Sequence, residues 1–183
     1  KTALLPGPCF GVPSAYAPFP DERCRNLAYA APQVASCMDF SVTPDDIVLF
    51  VNCVAKGDIH SLEHAVKHGA ADIDVSPLVD MQARQACACL GLCPARIVSI
   101  STACASGAIA VEVAREFLEQ QRVTHAVLFG IESICSFVAT GFHALSALSP
   151  DGARPFDARR NGLSLGETAV AAVLSYREPQ HGD

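Results

Sequence analysis

Charge is scarce in this chain, and no stretch of it is strongly basic. Lys and Arg number 13 against 19 Asp and Glu in 183 residues, giving a net charge of −6 with His neutral. The sequence pI is about 5.4. A surface built to grip nucleic-acid phosphates needs the opposite sign, so no nucleic-acid partner is expected. One small basic cluster, Arg154, Arg159 and Arg160, comes late in the sequence. No apolar run approaches the roughly 18 residues that a membrane span needs. The opening Lys-Thr-Ala-Leu-Leu-Pro-Gly has too short an apolar stretch for a signal peptide. The expectation is a cytoplasmic protein with no membrane partner. The nine cysteines lack the loop-rich spacing of a disulfide framework. Cys53, Cys87, Cys89 and Cys135 sit in apolar runs and read as small buried hydrophobes in a reducing compartment. Internal repeats and low-complexity linkers are also missing, so residues 1–183 read as a single domain. Half of the residues are hydrophobic, enough at this length for a sizeable core.

What is present is an alternation of apolar runs and helix-period segments. Residues 1–46 are punctuated by Pro6, Pro8, Pro13, Pro18 and Pro20 and read as largely irregular. A helix is expected over about 21–38, capped by Asp21 and broken or delayed around Pro32. Ile47 to Val54 is apolar on both faces, the pattern of a buried strand in a parallel sheet. Gly57-Asp58 makes a turn, and Ile59 to His68 has helical spacing. Ser76-Pro77 looks like an N-cap with proline at N1, opening a helix to about Leu90 that Gly91 stops. A strand over Arg96–Ser101 leads into a helix over Ala105–Gln121. On that helix Glu112, Arg115, Glu116 and Glu119 share one face, and Ile109, Val113 and Phe117 hold another. A strand over His125–Gly130, a helix over Ser136–Leu148, a loop from Ser149 to Gly162 and a last strand over Thr168–Tyr176 follow. Alternating strands and helices with apolar strands argue for a layered α/β fold.

Cys104 is the leading candidate for chemistry. It follows a β-branched run (Ile97, Val98, Ile100) that ends in small residues just before a helix. A side chain in such a turn stands at the helix N-terminus, where backbone N–H groups and the macrodipole favour an anion. A cysteine there is suited to react as its thiolate. Ala103, Ala105, Ser106 and Gly107 leave space beside the sulfur. Other clusters have plainer readings. Cys87, Cys89 and Cys93 lack the C-x-x-C spacing of zinc sites. His60, His64 and His68 recur at four-residue intervals beside Glu63, but without the H-E-x-x-H order of zinc proteases. They read as a polar, half-exposed helix face, and no metal is expected there. Arg154, Asp157 and Arg160 with Gly162, Gly166 and Glu167 form a polar glycine-rich loop without a Walker pattern. It reads as a loop tied down by Arg–Asp hydrogen bonds.

Four blocks in order resemble one family, the elongating β-ketoacyl-acyl carrier protein synthases. Ser101-Thr-Ala-Cys104-Ala-Ser-Gly107 looks like the family's nucleophile motif. Gly130-Ile-Glu-Ser is similar to its G-G-x-E segment, with Ile131 in place of a glycine. Thr140-Gly-Phe142-His-Ala-Leu-Ser-Ala-Leu-Ser149 resembles its G-F-x-x-x-x-A-L-S segment. Arg154-Pro-Phe-Asp157-Ala-Arg-Arg160-Asn-Gly-Leu-Ser-Leu-Gly-Glu167 is similar to its R-P-F-D-x-x-R-x-G-F-x-x-G-E loop. The blocks cover about residues 94–176; the first ninety residues match only loosely.

The resemblance implies a thiolase-like fold: one layered βαβαβαββ half, a mixed sheet flanked by helices, of a five-layer sandwich. It implies Cys104 as the acyl-accepting nucleophile, its backbone N–H in the oxyanion hole, and Phe142 lining the acyl pocket. It also implies acyl carrier protein, bearing acyl and malonyl groups, as partner for decarboxylative Claisen condensation in fatty acid or polyketide synthesis. A homodimer or a heterodimer with a ketosynthase-type subunit is expected, with no cofactor. The family's decarboxylation histidines, a nearby lysine and a glycine-rich gating loop lie in its second half. None of the six histidines here has a matching H-G-T-G-T context, so the chain corresponds to the N-terminal half. A mean hydropathy of +0.28 fits a surface packed against a second half. The alternative is a non-catalytic partner similar to chain-length-factor subunits, which typically lack the cysteine. A thiolase or an initiating synthase shares the fold and the cysteine, but the Arg154–Glu167 loop favours the elongating branch.

Overall fold

A computed structural model describes residues 8–9, 12–13, 16–17, 27–38, 40–69 and 79–176. The expected caps Asp21, Ser76 and Pro77 lie outside the described residues. Three two-residue strands come first, β1 (Pro8–Cys9), β2 (Val12–Pro13) and β3 (Tyr16–Ala17). Helix α1 (Leu27–Ser36) precedes β4 (Val48–Cys53). Helices α2 (Ile59–Lys67) and α3 (Val79–Cys89) come next, then β5 (Arg96–Ile100). A 3₁₀ turn (Ala103–Ala105) runs into α4 (Ser106–Glu119). The chain continues through β6 (His125–Glu132), α5 (Ser136–Ala144), β7 (Leu165–Gly166) and β8 (Thr168–Ser175).

The main sheet has the order β5-β4-β6-β8. Strand β4 lies parallel to β5 and to β6, with Val51 opposite Val98 on one side and Leu128 on the other. Strand β8 closes the sheet antiparallel to β6. Doubly apolar β4 takes a central place because both of its faces are covered. Val48 and Phe50 pack toward α1 and α3, where the Phe50 and Phe129 rings stack with centroids 6.2 Å apart. Leu49 and Val51 face the opposite layer, formed by Ala110, Ala114 and Leu118 of α4. The small alanines bring α4 close to the sheet, which fixes where the turn before it stands. At Gly130 an added Cβ would lie 2.8 Å from the Cys53 carbonyl oxygen, so the β4–β6 approach beside the site requires glycine.

Several elements differ from expectation, each for a local reason. Helix α1 is not broken at Pro32 but runs through it, giving up one backbone hydrogen bond while Ala30 and Ala31 stay buried against the core. The α4 stripe turned inward is Ser106, Ala110, Ala114 and Leu118. Of the expected apolar face, Val113 and Phe117 pack half-buried against this layer, while Ile109 is exposed. The acidic face is as expected: Arg115 bridges Glu112 at 2.5 Å and Glu119 at 2.6 Å. Helix α5 stops at Ala144 rather than Leu148. Ser146 takes φ +53° and donates to the His143 carbonyl, while Ala147 donates to Phe142, a Schellman ending made without glycine. Gly91 ends α3 in the same way, at φ +66°, with Leu92 donating to Cys87 and itself to Ala88. Among the described residues no helix is long and apolar enough to cross a membrane.

Candidate active site

Cys104 lies inside the 3₁₀ turn rather than at a simple strand-to-helix junction, and it is exposed. The residue before it, Ala103, has φ +52°, a conformation that L residues with a Cβ adopt at a cost. Ser106 holds this turn from below. Its buried hydroxyl accepts the Thr102 N–H at 2.9 Å. The same oxygen lies 2.7 Å from the Ala103 carbonyl and 3.0 Å from the Val54 carbonyl, which share its one proton. The turn is thereby tied to the exit of the central strand. No side chain caps the start of α4, which leaves the first turn of the helix as a place where developing negative charge is favoured. Ala103→Val, which puts a branched side chain at positive φ, is expected to cost roughly 1–2 kcal/mol. Urea unfolding of the two proteins measures it, and Ala103→Gly is expected to be tolerated.

Cys104 opens into a cleft of about 550 Å³, a size suited to a small organic group. The cleft brings the two sequence candidates together, since Phe142 of α5 lines it with Cys104. Ile134 and Val138 add apolar wall, and the Leu163–Gly166 segment forms another side. That segment is held by a parallel bridge between Leu148 and Leu163 and by β7, which pairs with β3. Glu167, buried after it, accepts the Ile134 N–H at 3.1 Å. The ends of the Ser149–Gly162 loop are joined by the Ser149 hydroxyl, which donates to Asn161 Oδ1 at 2.7 Å, whereas the expected Arg–Asp bonds at Asp157 are local contacts within it. The Arg159 N–H donates to Asp157 Oδ1 at 2.7 Å, and Arg160 reaches the Asp157 carbonyl at 3.3 Å.

Cys37 and Cys93 are exposed like Cys104 but do not line its cleft, and four other thiols are less open. Cys87 and Cys135 are buried, whereas Cys53 and Cys89 are half-buried. Burial pushes the Cys87 thiol up to about 11 and raises those of Cys53 and Cys135. Each therefore resists forming the thiolate that attacks.

One supporting group is absent from the sequence candidates. Glu63 of α2 accepts the backbone N–H of Ser136, the first residue of α5, at 2.8 Å. Lys67 pairs with Glu63 at 2.7 Å and donates to the Ser136 hydroxyl at 2.9 Å. Glu63 thus caps, from another helix, the element that carries Phe142. Partial burial pulls its carboxyl up, but the hydrogen bonds from Lys67 and Ser136 outweigh this and hold it at about 2. Its stabilising contribution is therefore complete above the ordinary value of 4.5 and is lost as pH falls from there toward 2. Glu63→Gln is expected to lower stability by roughly 1–2 kcal/mol at pH 7. The gap between variant and wild type should narrow below about pH 4.5 and close only near pH 2 in urea titrations. The neighbouring histidines form the polar stripe expected. The His64 and His68 rings meet at a tilt of 44° with centroids 4.3 Å apart, and no group of three or more metal-ligating side chains gathers among the described residues.

The family model for the β-ketoacyl synthase N-terminal domain matches residues 27–180. The chain belongs to this family. Over 79 residues it is 38% identical to a phenolphthiocerol/phthiocerol polyketide synthase of Mycobacterium tuberculosis, covering 42% of this chain and 4% of that protein. Its fold matches a β-ketoacyl synthase from Burkholderia phymatum with a TM-score of 0.69 at 23% identity, over 90% of this chain and 48% of the other. A type II polyketide synthase ketosynthase, solved with its acyl carrier protein and bound to the hexaketide, matches with a TM-score of 0.69 at 21% identity. That match covers 96% of this chain and 52% of the other. The chain thus has the thiolase-like fold and spans about half the length of these two ketosynthases.

Proposed function

We propose that Cys104 is the acyl acceptor of a ketosynthase and that Phe142 lines the pocket for the acyl chain. The observation that carries this reading is an exposed thiol in a strained, hydrogen-bonded turn, opening into an apolar cleft shared with Phe142. The Cys104 thiolate attacks the carbonyl carbon of an acyl thioester borne by acyl carrier protein. A carbon–sulfur bond to Cys104 forms, the carrier's carbon–sulfur bond breaks, and the carrier leaves as a thiol with the proton that Cys104 gave up. The backbone N–H of Cys104 helps hold the negative charge on the tetrahedral carbonyl oxygen.

The second stage, decarboxylation of a malonyl carrier and attack of its carbanion, needs groups that stabilise an enolate. In the family the resemblance assigns these to histidines and a lysine of the second half, and no motif in these 183 residues corresponds to them. Ile109 and Val111 on α4, Phe137 on α5 and Leu145 just after it are exposed, and such apolar side chains suit burial against that half or a ketosynthase-type partner subunit.

The test is to give the chain an acyl carrier and a malonyl carrier and to follow both the thioester and the released carbon dioxide. Acyl transfer to the protein without condensation is expected. Robust condensation by these 183 residues alone would contradict the reading. Pathway activity unchanged by Cys104→Ala would favour instead a non-catalytic, chain-length-factor-like subunit.

A further inference from the structure

Lys56 and Glu132 set a charged pair into the wall of an otherwise apolar cleft, alongside Cys104. Glu132 ends β6, where its carboxylate accepts the Ala55 N–H at 2.6 Å and pairs with the Lys56 ammonium. Lys56 also reaches the Ser133 carbonyl at 3.4 Å. The pair is held by backbone on both sides, yet its side chains remain 20% and 29% exposed. Behind it lies a recess of about 20 Å³ that Gln82 lines as well. Gln82 is only 5% exposed, and its side-chain carbonyl oxygen has no hydrogen-bond partner among the described residues. Polar character therefore continues from the cleft wall into the interior.

An acyl chain of plain methylenes laid against this wall strips water from an ion pair and returns nothing to it. A chain bearing oxygen offers an acceptor to Lys56 and, as a hydroxyl, a donor to Glu132 or Gln82. Sites with such groups discriminate against the analogue that leaves them unpaired. Resting on the acyl-acceptor reading of Cys104, we propose that the Lys56–Glu132 pair selects acyl groups carrying a hydroxyl or carbonyl along the chain over saturated ones.

The test compares rates of Cys104 acylation by octanoyl N-acetylcysteamine thioester and by its 3-, 5- and 7-hydroxy analogues, read by intact-protein mass spectrometry on the full chain. At least one hydroxy analogue is expected to react about tenfold faster than the unsubstituted thioester. The double substitution Lys56→Met with Glu132→Gln removes both charges but keeps an acceptor for the Ala55 N–H, and it should bring the ratio to within about twofold. Lys56→Arg should retain the preference. Equal rates for all four thioesters in the wild type overturn the proposal, whether or not the variants fold. A preference that survives the double substitution overturns it too. Absence of any Cys104 adduct overturns the acyl-acceptor reading and this inference with it.

Discussion

Cys104→Ala is expected to slow acylation by a thioester at least about a thousandfold, because it removes the nucleophile and not merely a contact. The informative control lies in the same cleft. Cys53 also lines it, so proximity to a bound thioester does not separate the two sulfurs. Their surroundings do. The Cys53 sulfur is half-buried, sits 3.2 Å from the Phe129 carbonyl, and has its thiol raised by burial. Cys104 stands exposed at the head of an uncapped helix. Cys53→Ala should therefore leave the acylation rate within about threefold. Initial rates of thiol release, followed by absorbance for both variants and the wild type, check the pair of expectations.

Gly162→Ala carries the largest expected loss of stability. Gly162 has φ +145°, and an added Cβ would lie 2.6 Å from the Ser149 nitrogen, 2.7 Å from the Leu148 carbonyl carbon and 2.8 Å from the Ala147 oxygen. All three are backbone atoms and cannot swing aside. Relief would pull apart the hydrogen bonds from Leu163 to Ala147 (2.8 Å) and from Ser149 to Leu163 (2.9 Å). Strain and lost bonds together should cost roughly 3 kcal/mol, which lowers Tm by about 6–12 °C in a chain of this size. The Leu163–Gly166 wall of the cleft should loosen with them, so acylation should slow as well. Gly141 is the contrast. It lies within α5 and nothing stands within 4 Å of an added Cβ, so Gly141→Ala should be neutral or stabilising by up to about 1 kcal/mol. Thermal unfolding of the two variants side by side separates a glycine required by geometry from one that is not.

Features written in local pattern are legible in the amino-acid sequence. The both-face apolar run at Ile47–Val54 announces the central strand β4. The left-handed stop at Gly91 ends α3 where expected, and the small residues around Cys104 mark a turn between a strand and a helix. Features made by distant partners are not legible in the same way. Glu63 reads as part of a histidine stripe, because nothing in its neighbourhood tells that it caps α5, 73 residues on. Ser106 is visible only as a small neighbour of Cys104, although its hydroxyl ties the turn to Val54. The positive φ at Ala103 and Ser146 has no glycine to flag it. Lys56 and Glu132, 76 residues apart, meet only because β4 and β6 are neighbours in the sheet. Pro32 misleads for the opposite reason: a strong local rule is overridden by the burial of Ala30 and Ala31.

The most direct test of the account is where a single acyl group lands on the unmodified protein. The chain is incubated with one equivalent of acyl carrier thioester, digested, and every cysteine-containing peptide is quantified by mass spectrometry. One adduct, on the peptide containing Cys104, with the other eight cysteines unmodified, is the predicted result. Acyl groups spread evenly over the nine cysteines, or concentrated on Cys53, would contradict it.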